Sequence, residues 1–87
     1  MARYLIETRH TPEQCLADLD TVLEQSPGLL QKLEWGCRAG VHVGWITLEA
    51  PSAQDVVRQI PATMRDRTRV VEIQPFTPDE IRALHVK

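Results

Sequence analysis

Long apolar runs are missing from this 87-residue chain. A membrane-spanning helix needs about 20 consecutive apolar residues, and none is present. The opening Met1-Ala-Arg-Tyr starts no signal-peptide pattern. A basic surplus is missing as well: ten Lys and Arg stand against twelve Asp and Glu, for a net charge of −2. That balance argues against a nucleic-acid partner, which would call for a cationic surface. Cysteine is scarce, with two residues, no CxxC spacing and no export signal, so free thiols in a reducing, cytoplasmic setting are expected rather than a disulfide. Repeats, low-complexity tracts and linkers are absent too. The expectation is one domain over residues 1–87, with a core thin enough for stability to lean on a partner chain.

What is present is clear punctuation. Residues 3–9 (RYLIETR) are rich in β-formers and read as a strand. Thr11-Pro-Glu-Gln14 is a helix start, with a capping threonine, proline at the first helical position and Gln14 closing a capping box. The helix that follows carries Cys15, Leu16, Leu19, Val22 and Leu23 at helical spacing, and Ser26-Pro27-Gly28 should stop it. Residues 31–38 and 41–49 read as two strands about a two-residue Ala39-Gly40 turn. Ser52 caps a second helix with Ala53, Val56, Val57 and Ile60 on one side, ended by Pro61. Residues 69–76 read as a fourth strand whose Pro75 demands an edge position. Thr77-Pro-Asp-Glu80 then opens a short last helix, with Phe76 and Ile81 at staple positions.

The order β-α-β-β-α-β with right-handed crossovers predicts an α+β, ferredoxin-like arrangement. Four antiparallel strands form one sheet, two helices cover one face, and a short C-terminal helix follows. In the predicted register Trp35 pairs with Gly44, Cys37 with His42 and Leu33 with Ile46, on the covered face. Val41, Val43, Trp45 and Thr47 then lie on the open face. A patch that apolar marks an interface, here one between two copies of the chain, unless the last helix folds back over it.

The cluster richest in chemistry is His10, Cys15, Cys37 and His42. His10 and Cys15 occupy the two staple positions around the Thr11 cap, and so are neighbours. Cys37 and His42 would be a cross-strand pair with Cβ atoms roughly 5 Å apart. Both pairs fall at one end of the sheet, and two thiolates with two imidazoles suit zinc, nickel or copper. The plainer reading keeps both cysteines as small packed hydrophobes and both histidines in solvent. A Cys37 nucleophile activated by His42 is a variant of the same pairing, although no orienting third group accompanies it. Tyr4 and Trp45 are the only candidates for RNA base stacking on the first and third strands, and the charge balance opposes that use. A small-molecule pocket between sheet and helices could draw on Glu7, Trp35, His42 and Glu72.

The strand RYLIE, the mid-chain hairpin with its tryptophan and the junction EA-PS-AQDV together resemble the dimeric α/β-barrel superfamily of small ferredoxin-like proteins. Muconolactone isomerase, antibiotic-biosynthesis monooxygenases and GYD-type domains belong to it. The resemblance covers nearly the whole chain and implies a homodimer and, in some members, cofactor-independent enzyme chemistry. It carries over no catalytic residue, and the catalytic residues stay unknown. The sequence therefore points first to a small homodimeric binding or accessory protein. The alternatives are a transition-metal protein using the Cys/His cluster and a small-molecule enzyme.

Overall fold

The computed structural model describes residues 1–85; Val86 and Lys87, the end of the expected domain, lie outside the described residues. The fold is α+β, built on one four-stranded antiparallel sheet in the order β2-β3-β1-β4. The strands are β1 (Ala2–Arg9), β2 (Glu34–Trp35), β3 (Val43–Ala50) and β4 (Thr68–Ile73). Between them run α1 (Cys15–Gln25), α2 (Pro27–Lys32) and α3 (Ala53–Gln59), and α4 (Pro78–Leu84) follows β4. No described helix is long and apolar enough to cross a membrane.

Strand alternation decides which face is covered. Tyr4, Ile6 and Thr8 of β1 stand beside Leu48, Ile46 and Gly44 of β3. The apolar members of that face join Val22 of α1, Val56 of α3, Leu33, Ile60 and Met64 in a single core. Helices α1 and α3 thus share one face, as the sequence pattern predicts. Ile6, Val22 and Val56 are wholly excluded from solvent. Burying a side chain of that kind contributes about 1.5–3 kcal/mol.

Three expectations need correction. Pro27 ends α1 but also occupies the first position of α2, where its missing N–H costs nothing. The helix therefore consumes residues up to Lys32, and the second strand shrinks from 31–38 to Glu34–Trp35. The pairing Trp35↔Gly44 is retained, and Glu34 stands opposite Trp45. Beyond it no two-residue hairpin forms. Cys37–Ala39 is a 3₁₀ turn, Gly40 takes a left-handed φ of 84°, and β3 begins only at Val43. Cys37 and His42 are consequently loop residues and not a cross-strand pair, and Val41 lies outside the strand. The α1 stripe is also rotated: Leu16 and Leu23 face solvent, while Asp18 is buried beside Val22.

The other sheet face is uncovered. It carries Leu5, Val43, Trp45, Thr47, Val71 and Ile73 in the register given by the strand pairs. Helix α4 does not fold back over it. Every residue from Gln74 to His85 is exposed, including Phe76 and Leu84 at 66% and 68%. The radius of gyration is 15.7 Å and the longest extent 51 Å, against about 12 Å expected for a compact chain of this length. Helix α4 is an arm.

Candidate metal centre

One corner of the sheet gathers three segments. Leaving β1, the chain turns at Thr11, whose hydroxyl accepts from the Gln14 amide while the Gln14 side chain accepts from the Thr11 amide. This reciprocal cap fixes His10 before the turn relative to Cys15 at the start of α1. The third segment is the loop of residues 36–42. The Gly36 amide donates to the Val43 carbonyl at 2.9 Å, and the amides of Ala39 and Val41 both donate to the Gly36 carbonyl. A Cβ on Gly36 would sit 2.7 Å from the Val41 carbonyl oxygen, so this closure needs glycine. The loop is tied to β1 by the His10 amide, which donates to the His42 carbonyl at 3.2 Å.

The result is that His10, Cys15, Cys37 and His42 each offer a ligand atom, and these atoms all lie within 4.8 Å of one another. All four residues singled out from the sequence are brought together, although the cross-strand pairing invoked for two of them does not exist. The His10 ring is buried, and its Nε2 lies 3.2 Å from Cys37 Sγ. It also packs against the rings of His42 and Trp35 at centroid distances of 5.5 and 5.9 Å. The Nδ1 atoms of His10 and His42 are both buried with no hydrogen-bond partner among the described residues. Buried polar nitrogens left unmatched are uncommon and costly. Both cysteines are free thiols, partly buried.

The electrostatics favour a neutral His10 and a protonated Cys37 in the absence of a ligand. Burial holds the His10 pKa below the ordinary histidine value; Asp18 opposes this, while His42 and Arg67 add to the lowering. Burial, followed by the neighbouring Cys15 thiol, pushes the Cys37 pKa up. Where the Cys37 thiol donates to His10 Nε2, the His10 ring proton sits on Nδ1. A raised thiol pKa is the reverse of what a cysteine nucleophile needs. Cys37 also lines an open cleft of about 330 Å³ together with Leu19, Trp35 and Arg38.

Sequence reasoning missed the support behind the cluster. Asp18 is almost fully buried, and its two oxygens accept from Arg67 at 2.7 and 3.0 Å. Arg67 also donates to the Arg9 carbonyl at 2.7 Å, next to His10. The one available signal was Asp18 standing three residues after Cys15, on the same side of α1. The residues considered for a small-molecule pocket do not converge. Glu7 lies on the open face, where its carboxylate accepts from the Trp45 indole at 3.3 Å, while Trp35 pairs into the covered face. Comparison with family models, with curated proteins and with solved structures returned no match.

Proposed function

We propose that the protein binds a transition-metal ion through His10, Cys15, Cys37 and His42. The observation that carries this reading is the convergence of four soft or borderline donors from three separate segments within 4.8 Å. Tetrahedral bonds of about 2.0–2.3 Å would set ligand atoms roughly 3.3–3.8 Å apart. The longest separation would then have to shorten by about 1 Å, a change within reach of side-chain torsions. Two thiolates and two imidazoles suit zinc, nickel or copper and not the oxygen-seeking calcium or magnesium. Two thiolates also cancel the charge of a divalent ion, which matters in a partly buried corner.

Four protein ligands complete a tetrahedral shell and leave no coordination position for a substrate. The reading therefore favours a binding or accessory protein that holds or hands over metal, and not a metalloenzyme. Cys37 on the cleft wall gives the ion a route in and out. Such a site needs reduced thiols, which fits the cytoplasm.

The test is titration of reduced, metal-free protein with Co(II) and Zn(II). The expected result is one ion per chain, the visible bands of tetrahedral cobalt with a thiolate charge-transfer band, and loss of both in C15S and C37S. A wild type that binds no ion under these conditions overturns the reading.

A second reading concerns assembly. The element order and the strand order β2-β3-β1-β4 support the ferredoxin-like arrangement and the relation to the dimeric α/β barrels. The uncovered row of Leu5, Val43, Trp45, Val71 and Ile73 supports a homodimer packed sheet face to sheet face. Thr47 lies in this row and Val41 at its end, half exposed.

A further inference from the structure

We infer that Asp18 is the outer carboxylate of this metal centre, a positioning residue that acts on the ion through His10. The inference rests on the metal-binding reading and adds a fifth residue with its own geometry. His10 presents Nε2 toward Cys37 at 3.2 Å, and so uses that nitrogen for the cluster. Its other nitrogen, Nδ1, points to Asp18 Oδ2 at 3.8 Å. That gap is too long for a hydrogen bond, and Nδ1 has no other partner among the described residues. Both side chains are nearly or wholly buried, at 0% and 7% exposure, so water does not compete freely for the contact.

Metal-bound imidazoles usually donate their second N–H to a carboxylate or carbonyl, which fixes the tautomer and makes the ligand more basic. Here the carboxylate is already in place. It is held by the two-pronged Arg67 contact, which leaves Oδ2 able to accept a second hydrogen bond. Arg67 is in turn anchored on the Arg9 and Thr63 carbonyls. When Nε2 takes an ion, positive charge spreads over the ring and the Nδ1–H is drawn to Asp18. The 3.8 Å gap closes and the ring is locked. Charge remains balanced, since the two thiolates offset the ion and Arg67 offsets Asp18.

The alternative is that Asp18 and Arg67 form only a structural ion pair, in which case D18N would leave the cobalt bands unchanged. The experiment measures Zn(II) affinity by chelator competition and Co(II) spectra for wild type, D18N and R67Q, with metal-free melting curves alongside. D18N is expected to weaken Zn(II) by 10- to 100-fold and to alter the cobalt band envelope. R67Q keeps the carboxylate but removes its anchor, so it is expected to weaken Zn(II) by no more than D18N does. D18N within twofold of wild type and with wild-type cobalt bands, or R67Q losing more than D18N, overturns the inference while leaving the metal site standing. A wild type that binds no ion overturns both. Should D18N fail to fold, 15N shifts of the His10 ring in zinc-loaded wild type decide. A bound Nε2 with a protonated Nδ1 supports the inference, and the opposite tautomer sinks it.

Discussion

Replacing Cys37 by serine separates a metal centre from a packed thiol more sharply than any other single change. Cys37 is partly exposed, lines the cleft, and makes weak sulfur contacts to His10 Nε2 and to the Cys15 thiol. Losing one such neutral contact costs about 0.5–1.5 kcal/mol, and the shape is nearly conserved. Metal-free C37S should therefore melt about 2–12 °C below wild type at most, so each variant is compared with and without zinc. Binding of an ion at 100 times its dissociation constant adds about 2.7 kcal/mol to the native state. For a domain of this size each kcal/mol moves the melting temperature by about 4–8 °C, giving a rise of roughly 10–20 °C. C37S loses one of four ligands and its negative charge, so this rise should largely vanish. The assay is a pair of thermal melts by circular dichroism, in reductant, with and without saturating Zn(II). Two results refute the reasoning: a wild type unmoved by zinc, or a C37S variant that gains as much as wild type does.

Four further outcomes follow from the geometry. His10 is held below the ordinary histidine value, near 6.5, so the unfolded chain takes up a proton before the native one does; metal-free stability should be full above about pH 6.5 and fall as pH drops toward the native pKa, and a melting temperature that rises on acidification contradicts this. Cys37 is shifted the other way, so zinc must displace its thiol proton, and affinity should climb with pH through the neutral range, measured by competition at fixed ionic strength. Trp45→Glu puts a charge in the centre of the uncovered sheet face; sedimentation should show a dimeric wild type and a monomeric variant that still binds cobalt, and a monomeric wild type refutes the assembly. Gly44→Ala would bring a Cβ to 2.9 Å from the Trp35 ring and 3.2 Å from the Thr8 methyl, an overpacking that costs about 1–3 kcal/mol; an unchanged urea midpoint contradicts it.

How far the sequence could be read depended on whether local chemistry or tertiary geometry decided each element. The cap at Thr11, the cap at Ser52 and the capping box at Thr77 are all formed as their residues predict, because each is satisfied within four residues. The alternation of β1 also holds. Pro27 misled because proline both ends one helix and starts another, and the sequence does not say which use prevails. The hairpin misled because Gly36, Gly40 and Gly44 allow several turns; the one adopted answers to Trp35 lying over Gly44 and to the Gly36–Val43 closure. The four candidate ligands still met. Their convergence depends on the corner where β1 lies beside β3, and topology placed that correctly even where the local register failed. Arg67, far along the chain from Asp18, carried no linear signal.

The arm formed by α4 has one more consequence. It is seven residues long, and isolated helices shorter than about 12 residues are marginal in water even with good caps. Its capping box and first-turn Asp79 and Glu80 favour the start of the helix, but among the described residues its end is exposed, with Leu84 at 68%. Its helicity therefore depends on being covered. Amide exchange at Ile81–Leu84 becomes a gauge of company: fast in a lone chain, slowed when a second surface lies against Phe76, Ile81 and Leu84.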